Sequence, residues 1–216
     1  MFNFLIKTIT LIFSNKKFNF ISDIFLHLIL KVKGYKNFGN LNETGEEYFL
    51  NNFLTKKKIK ICLDIGAHNG DYSKKLLDKG FRVIAFEPMN ESFTNLKKVK
   101  KKYPKIFSYH KVALSNKNEA REIFYINKNS QLSSLNENVK KINFLKNKLF
   151  KKLKIKTSTL DVFVKKNKKL FTDGVDFIKI DTEGNDFNVI LGAKNSINRF
   201  KPKFIQVEMN YHNLFN

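Results

Sequence analysis

Hydrophobic residues make up 42% of this 216-residue chain, and its formal net charge at pH 7 is +22. This composition excludes an intrinsically disordered chain and is sufficient for one domain with a substantial core. No run of 18 apolar residues occurs, so the sequence predicts no membrane-spanning helix. The single cysteine, Cys62, excludes an internal disulfide, and we therefore expect a cytoplasmic protein with Cys62 in a buried strand.

The positive charge comes almost entirely from lysine, since only three of the 41 basic residues are arginine. Lysine, asparagine, isoleucine and phenylalanine are abundant together, which is typical of an AT-rich coding sequence and explains most of the charge. A basic surface also favours an anionic substrate or an anionic membrane. Nucleic acid is the least favoured partner, and the sequence predicts no oligomeric state.

Residues 1–40 are predicted to form an N-terminal helical extension. Within it, residues 20–32 follow the pattern of an amphipathic helix, which would pack on the main domain or lie on a membrane surface. The segment has no basic region before its apolar part and no small-residue cleavage site, so a secretory signal is not expected. Residues 41–216 are predicted to form the main domain, which begins with a short helix in "NETGEEYFLNNFL".

Strands and helices then alternate along the chain. The predicted strands are residues 60–63, 82–86, 105–110, 120–126, 175–180 and 203–209. The predicted helices are residues 71–79, 90–102, a short helix opened by Thr159, and 186–193. Residues 127–156 are rich in lysine and asparagine and are predicted to form an insertion of loop and helix that faces solvent. The alternation predicts an α/β fold, with a Rossmann-like, doubly wound and mostly parallel sheet and helices on both faces.

Four predicted strands end in an acid at the same relative place. These acids are Asp64, Glu87, Asp181 and Glu208. In open parallel sheets, ligands bind beyond the carboxyl ends of the strands. We therefore expect the four acids to lie on one edge of the sheet and to belong to one site.

The turn after the first strand, "DIGAHNG", restricts the ligand. A dinucleotide turn needs G-x-G-x-x-G, but His68 and Asp71 stand where its second and third glycines would be. No G-K-S/T follows, which excludes a Walker-type phosphate loop. Asp64 would face a cationic amine, and Glu87 would accept hydrogen bonds from two ribose hydroxyls. S-adenosylmethionine (SAM) carries both groups and has no phosphate.

The sequence resembles the FkbM-type methyltransferases, which are SAM-dependent enzymes with the class I methyltransferase fold. The resemblance covers about residues 45–209 and rests on "LDIGAHNGDYS", "AFEP", "KVALS", "SSL", "TLDVFV", "FIKIDTEGNDFNVILGA" and "QVE", in the family's order. It implies O-methylation of a hydroxyl on a sugar, glycan or small metabolite. The class I fold usually continues into an antiparallel strand pair after the fifth strand. This chain ends eight residues after Glu208, so we expect that pair to be lacking, its place to be taken by the N-terminal segment, or the protein to be incomplete.

The resemblance also implies roles for individual residues. The residues expected to bind SAM are Asp64, Gly66, His68, Gly70 and Glu87, with Ala113 and Leu114 near the adenine. His68 stands where the family often has asparagine. Asp181 and Glu183 are expected at the reaction centre, and we add Glu208 as a third catalytic candidate.

A hydroxyl acceptor must lose a proton, and the candidate bases are Asp181, Glu183, Glu208 and His212. Asp181, Glu208 and Asn210 also offer oxygen atoms of the kind that magnesium prefers, but we assign no metal ligand from the sequence. Ser133 and Ser134 are either acceptor-pocket residues or ordinary turn formers.

Two other functions stay open. An RNA 2′-O-methyltransferase commonly uses a Lys-Asp-Lys-Glu set, and no lysine follows the last strand in "QVEMNYHN". A non-catalytic protein with a methyltransferase fold would instead use its basic surface to bind a membrane or nucleic acid.

Overall fold

A computed structural model describes residues 4, 6, 7, 10, 19–32, 45–55, 59–126, 129–137, 140 and 149–208. The chain divides into two compact units, Met1–Lys58 and Ile59–Asn216. The division falls after Lys58, whereas the boundary predicted from the sequence falls after residue 40, and that domain assignment stays a prediction.

The first unit contains helix α1 (Asn19–Val32) and helix α2 (Gly45–Phe49), which continues into a wider π-helical turn at Leu50–Leu54. Both helices were expected. Helix α1 exposes large apolar side chains, among them Phe20, Phe25 and Leu28. Within the described residues, no helix combines the length and the apolar character needed to cross a membrane.

The second unit contains nine strands among the described residues. They are β1 (Ile61–Ile65), β2 (Arg82–Phe86), β3 (Phe107–His110), β4 (Ala113–Leu114), β5 (Ala120–Ile126), β6 (Asn129–Ser134), β7 (Phe150–Ser158), β8 (Phe177–Ile180) and β9 (Phe204–Val207). Its helices are α3 (Asp71–Asp78), α4 (Phe93–Lys102), α5 (Leu160–Lys166), α6 (Asp186–Leu191) and α7 (Lys194–Phe200), with a 3₁₀ turn at Lys168–Phe171.

Five of these strands form a parallel sheet in the order β3-β2-β1-β8-β9. The central strands β1 and β8 are buried along their whole length. Strands covered on both faces are expected to be nearly continuous apolar runs, as "ICL" and "FIKI" are. Cys62 lies in β1 and is fully buried, as expected. Among the described residues, no antiparallel strand pair joins this sheet.

Helices cover both faces of the parallel sheet, which confirms the predicted α/β architecture. On one face, Leu63, Ile84 and Ile178 pack in a core with Leu160 of α5 and Val189 of α6. On the other face, α3 packs against β1 and β2. There the Tyr72 ring lies beside the Phe177 ring of β8, with 6.5 Å between the ring centroids. The Ser73 hydroxyl donates a hydrogen bond to the Asp64 carboxylate.

A second sheet has the strand order β4-β7-β5-β6. Strand β6 and most of β7 lie within residues 127–156, for which loop and helix were predicted, so that expectation was wrong. The reason is visible in "KKLKIK", where lysines alternate with Leu153 and Ile155. The lysines face solvent, while Leu153 and Ile155 pack against a core of Met89, Ala113, Ile123 and Leu135.

Candidate active site

The four strand-end acids lie on one edge of the parallel sheet. Strands β2, β1, β8 and β9 are neighbours and all run in the same direction, so their carboxyl ends meet there. Backbone hydrogen bonds continue beyond the strands at this edge, from Gly66 N to Phe86 O at 2.9 Å and from Glu208 N to Ile180 O at 3.0 Å. The sequence therefore predicted correctly which residues share the edge.

The turn after β1 depends on its glycines. Gly66 and Gly70 both have φ of +82°, a left-handed conformation that side-chain-bearing residues rarely adopt. A Cβ atom on Gly66 would lie 1.8 Å from the backbone oxygen of Asp181. The missing side chain thus allows the glycine turn to pack directly against the chain that leaves β8.

Glu87 is held by the backbone of two segments. Its Oε2 accepts a hydrogen bond from the His68 N–H and its Oε1 accepts one from the Met89 N–H, both at 2.8 Å. Burial raises the pKa of Glu87 to about 7, although these two bonds oppose the rise. Each carboxylate oxygen has a second lone pair, so the same group can still accept hydrogen bonds from a ligand.

Asp64 is fully buried. Its Oδ2 accepts a hydrogen bond from the Ser73 hydroxyl at 2.6 Å, whereas Oδ1 has no hydrogen-bond partner among the described residues. Burial raises the pKa of Asp64, and the nearby Lys179 ammonium and the Ser73 hydrogen bond partly offset the rise. A buried carboxylate oxygen without a donor fits a ligand that brings a hydrogen-bond donor or a positive charge.

Ala113 and Leu114 form β4 and are both buried. Ala113 packs with Met89, two residues after Glu87, while the Leu114 carbonyl accepts a hydrogen bond from the Asn185 side chain at 2.9 Å. The two residues therefore link the Glu87 segment to the segment that follows β8. Their predicted place near an adenine stays a prediction.

Asp181, Glu183 and Glu208 form a cluster in which one carboxylate oxygen from each residue lies within 4.8 Å of the others. Such a group can share protons or a cation. Glu208 Oε2 is buried and has no hydrogen-bond partner among the described residues. The structure thus brings the three predicted catalytic acids together.

The three acids differ in their affinity for a proton. Burial alone would raise the pKa of Asp181, but the Lys179 ammonium, 2.7 Å from its Oδ2, outweighs this effect and the net shift is downward. The pKa of Glu183 is raised to about 8 by burial and then by the charges of Asp181 and Asp186. The pKa of Glu208 is raised to about 9 by burial and then by Asp181. At neutral pH, Asp181 is therefore ionised while the other two hold protons.

The loop that carries Glu183 is firmly held. Glu183 has a left-handed φ of +52°, which is uncommon for a residue other than glycine, asparagine or aspartate. Asp186 accepts hydrogen bonds from the backbone N–H groups of Thr182 and Gly184. The Ser134 hydroxyl donates to the Glu183 backbone oxygen at 2.5 Å. Ser134 therefore ties the second sheet to this loop.

Lys179 was not among the predicted site residues; it is 6% exposed and is the direct register partner of Asp64 in the sheet. A lysine inside the apolar strand "VDFIKI", two residues before an acid, was the signal that pointed to it. His110 packs its ring against Phe86 and Phe163, and burial lowers its pKa. Asn210 and His212, considered as a ligand and a base, lie outside the described residues.

Comparison with known proteins identifies the family. The solved structures include a similar one, the crystal structure of PRMT6, at 11% sequence identity and a TM-score of 0.43, covering 77% of this chain and 43% of that chain. No curated protein matches the chain significantly. The family model described as "Methyltransferase FkbM domain" matches residues 64–216, which begin at the strand-end acid Asp64 and include all four strand-end acids. The chain belongs to the FkbM methyltransferase family.

Proposed function

We propose that this methyltransferase uses SAM and transfers its methyl group to a hydroxyl oxygen. Asp64, the turn from Gly66 to Gly70, and Glu87 would hold the cofactor. The unpartnered Asp64 Oδ1 supports this proposal, because it is a buried acceptor suited to a donor or cation from the ligand. When bound, SAM supplies an electrophilic methyl group that leaves its sulfur for the acceptor oxygen.

The acid cluster supports a hydroxyl as the acceptor. A hydroxyl becomes a good nucleophile only as it loses its proton, and a base with a pKa near the working pH is the most effective. Glu183, with a pKa raised to about 8, meets that condition. The ionised Asp181 accepts a hydrogen bond from the same hydroxyl and orients it, while Glu208 stays protonated. The single observation that carries this proposal is the set of three adjacent carboxyl groups with separated pKa values.

The acceptor class and the setting are part of the same proposal. We take the acceptor to be a sugar, glycan or small metabolite and the setting to be the cytoplasm, and the single buried thiol of Cys62 is consistent with a reducing compartment. Contact of helix α1 with a membrane stays a proposal, supported by its exposed apolar side chains.

The direct test is methyl transfer from radiolabelled SAM to a panel of monosaccharides and sugar phosphates. We expect a labelled product whose methyl group survives alkaline treatment, because an ether is stable where a methyl ester is cleaved. The Glu183→Gln variant should lose the activity, and Glu91→Gln, which changes an exposed acid, should keep it. A base-labile product, or no product while the cofactor binds normally, would contradict hydroxyl methylation of this class.

A further inference from the structure

A cavity of about 520 Å³ lies beside the loop that carries Glu183. Its lining comes from three segments, which are β5, the residues after β6 and the start of α6. Gly184 and Asn185 are on its wall, directly after Glu183 in the chain. Because the Ser134 hydroxyl bonds to the Glu183 backbone, the same sheet that lines the cavity also positions the acid loop. The cavity therefore borders the loop that carries Glu183, and its wall begins at the residue that follows Glu183 in the chain.

The cavity lining suits hydroxyl groups. Asn136, Asn185 and Asn188 contribute amide side chains, each of which has both donors and an acceptor. Asn185 is fixed by bonds to the Leu114 carbonyl and from the Asn188 amide, whereas the Asn188 carbonyl oxygen has no partner among the described residues. Phe124 and Leu135 add apolar wall, which fits the carbon face of a sugar ring.

The charges in the lining are largely compensated. Glu122 is paired with Lys152 and Glu137 with Lys140, each at 2.8 Å. Arg121 lies 3.9 Å from Glu119 and donates to the Leu135 carbonyl. Among the described lining residues, each charged side chain lies within 4 Å of an opposite charge, and this lining favours an uncharged part of a ligand.

A positive strip borders the cavity on the same sheet. Lys154 stands directly opposite Glu122, a lining residue, and Lys156 stands opposite Ala120. Directly opposed side chains lie on one face with Cβ atoms about 5 Å apart. Both lysines are exposed, and within the described part of the chain neither makes an ion pair. An anionic group attached to a ligand in the cavity can reach this strip.

We propose that the cavity, together with Lys154 and Lys156, is the acceptor site for a sugar that carries a phosphate group. The hydroxyl-rich ring occupies the cavity beside Glu183, and the phosphate lies on the two lysines. This inference rests on the proposed hydroxyl methylation and specifies its substrate class. The shared chemistry, a ring with a phosphate, occurs in soluble nucleotide sugars and in lipid headgroups.

The test is binding without SAM, so that it does not depend on turnover. The probes are UDP-glucose, glucose, and lipid vesicles with and without phosphatidylinositol. We expect UDP-glucose or the phosphatidylinositol vesicles to bind the full chain with a Kd of about 1 mM or tighter, and glucose to bind more weakly. Whichever of the two binds identifies the source of the ring and phosphate. If neither binds while S-adenosylhomocysteine does, the substrate class is wrong although the cofactor assignment stands.

Two variants locate the binding. Asn188→Phe fills the cavity and should weaken probe binding at least about tenfold, whereas Asn198→Phe, on the exposed side of α7, should not. The double variant Lys154→Gln with Lys156→Gln should weaken probe binding roughly threefold to tenfold and reduce the salt dependence of that binding. Lys165→Gln with Lys166→Gln removes the same charge from α5 as a control. Equal effects of both lysine pairs, or no effect of Asn188→Phe, would overturn the site.

Discussion

Glu183 combines two unusual features, a left-handed backbone and a pKa raised to about 8. Residues held in a rare conformation tend to occur at functional sites, where the surrounding structure enforces them. Here Asp186 and Ser134 hold the loop, while burial and then the neighbouring acids raise the pKa of Glu183. Both features fit a base that must be ionised to act.

The first prediction concerns the pH dependence of methyl transfer. If ionised Glu183 is the base, kcat/KM should rise about tenfold per pH unit up to about pH 8 and then level off. Glu183→Gln should lower the rate by about 100-fold to 10,000-fold and remove this rise. An equally steep profile in the variant would show that another group is the base.

The second prediction concerns stability. The pKa of Glu208 is raised to about 9 in the folded protein from an ordinary value of 4.5, so the folded state binds more protons than the unfolded state between these values. The contribution of Glu208 is fully present below about pH 4.5 and is lost as the pH rises toward 9. The melting temperature should therefore fall more steeply from pH 5 to 9 in the wild type than in Glu208→Gln. Parallel curves would contradict the raised pKa.

At the scale of elements, the glycine turn fixes the distance between β1 and the chain after β8. Gly66 and Gly80 have the same φ of +82°, but a Cβ atom on Gly80 would have no atom within 4 Å, whereas one on Gly66 would meet the Asp181 backbone at 1.8 Å. An alanine at Gly80 therefore tests the cost of the left-handed conformation alone, whereas an alanine at Gly66 adds a steric clash to that cost.

The third prediction uses this pair. Gly80→Ala should lower the free energy of unfolding by about 1 kcal/mol, which is the cost of the left-handed conformation. Gly66→Ala should lower it by about 3 kcal/mol or more, because the turn must also move away from Asp181. Urea unfolding of both variants measures the difference. Similar losses would mean that the close approach is not needed for folding.

The parallel sheet was predictable because four of its five strands are mainly apolar segments that end in an acid. Segment β7 was not, because the four lysines among residues 151–156 suggested a solvent-exposed loop, although Leu153 and Ile155 keep the two-residue period of a strand. The short strand β4 and helix α7 were missed for lack of a clear periodic pattern. Composition thus obscured an alternation that was present.

The site residues were predictable in position but not in environment. The order of the strands placed Asp64, Glu87, Asp181 and Glu208 on one edge. The sequence did not predict that Asp64 is fully buried or that Lys179 lies beside Asp181, because both facts depend on register across the sheet and on the packing of α3. The separation of the three pKa values follows from burial and from the position of Lys179 beside Asp181.

At the scale of the whole molecule, the charge of +22 is not concentrated at the proposed reaction centre. That centre is acidic, and the cavity beside it has compensated charges, while exposed lysines lie on β7. This distribution suits a ligand with a neutral reacting part and an anionic part. It also explains why total charge alone does not identify the substrate.

The central claim is that the edge formed by Asp64, the glycine turn and Glu87 binds SAM. The most direct measurement is calorimetric titration of S-adenosylhomocysteine into the wild type, Glu87→Gln and Glu91→Gln, with thermal melting of each to verify folding. We predict micromolar binding by the wild type and Glu91→Gln, and binding weaker by about tenfold to 100-fold in Glu87→Gln, since a hydrogen bond to a charged group is lost. No binding by a well-folded wild type would contradict the account and favour a non-catalytic methyltransferase fold.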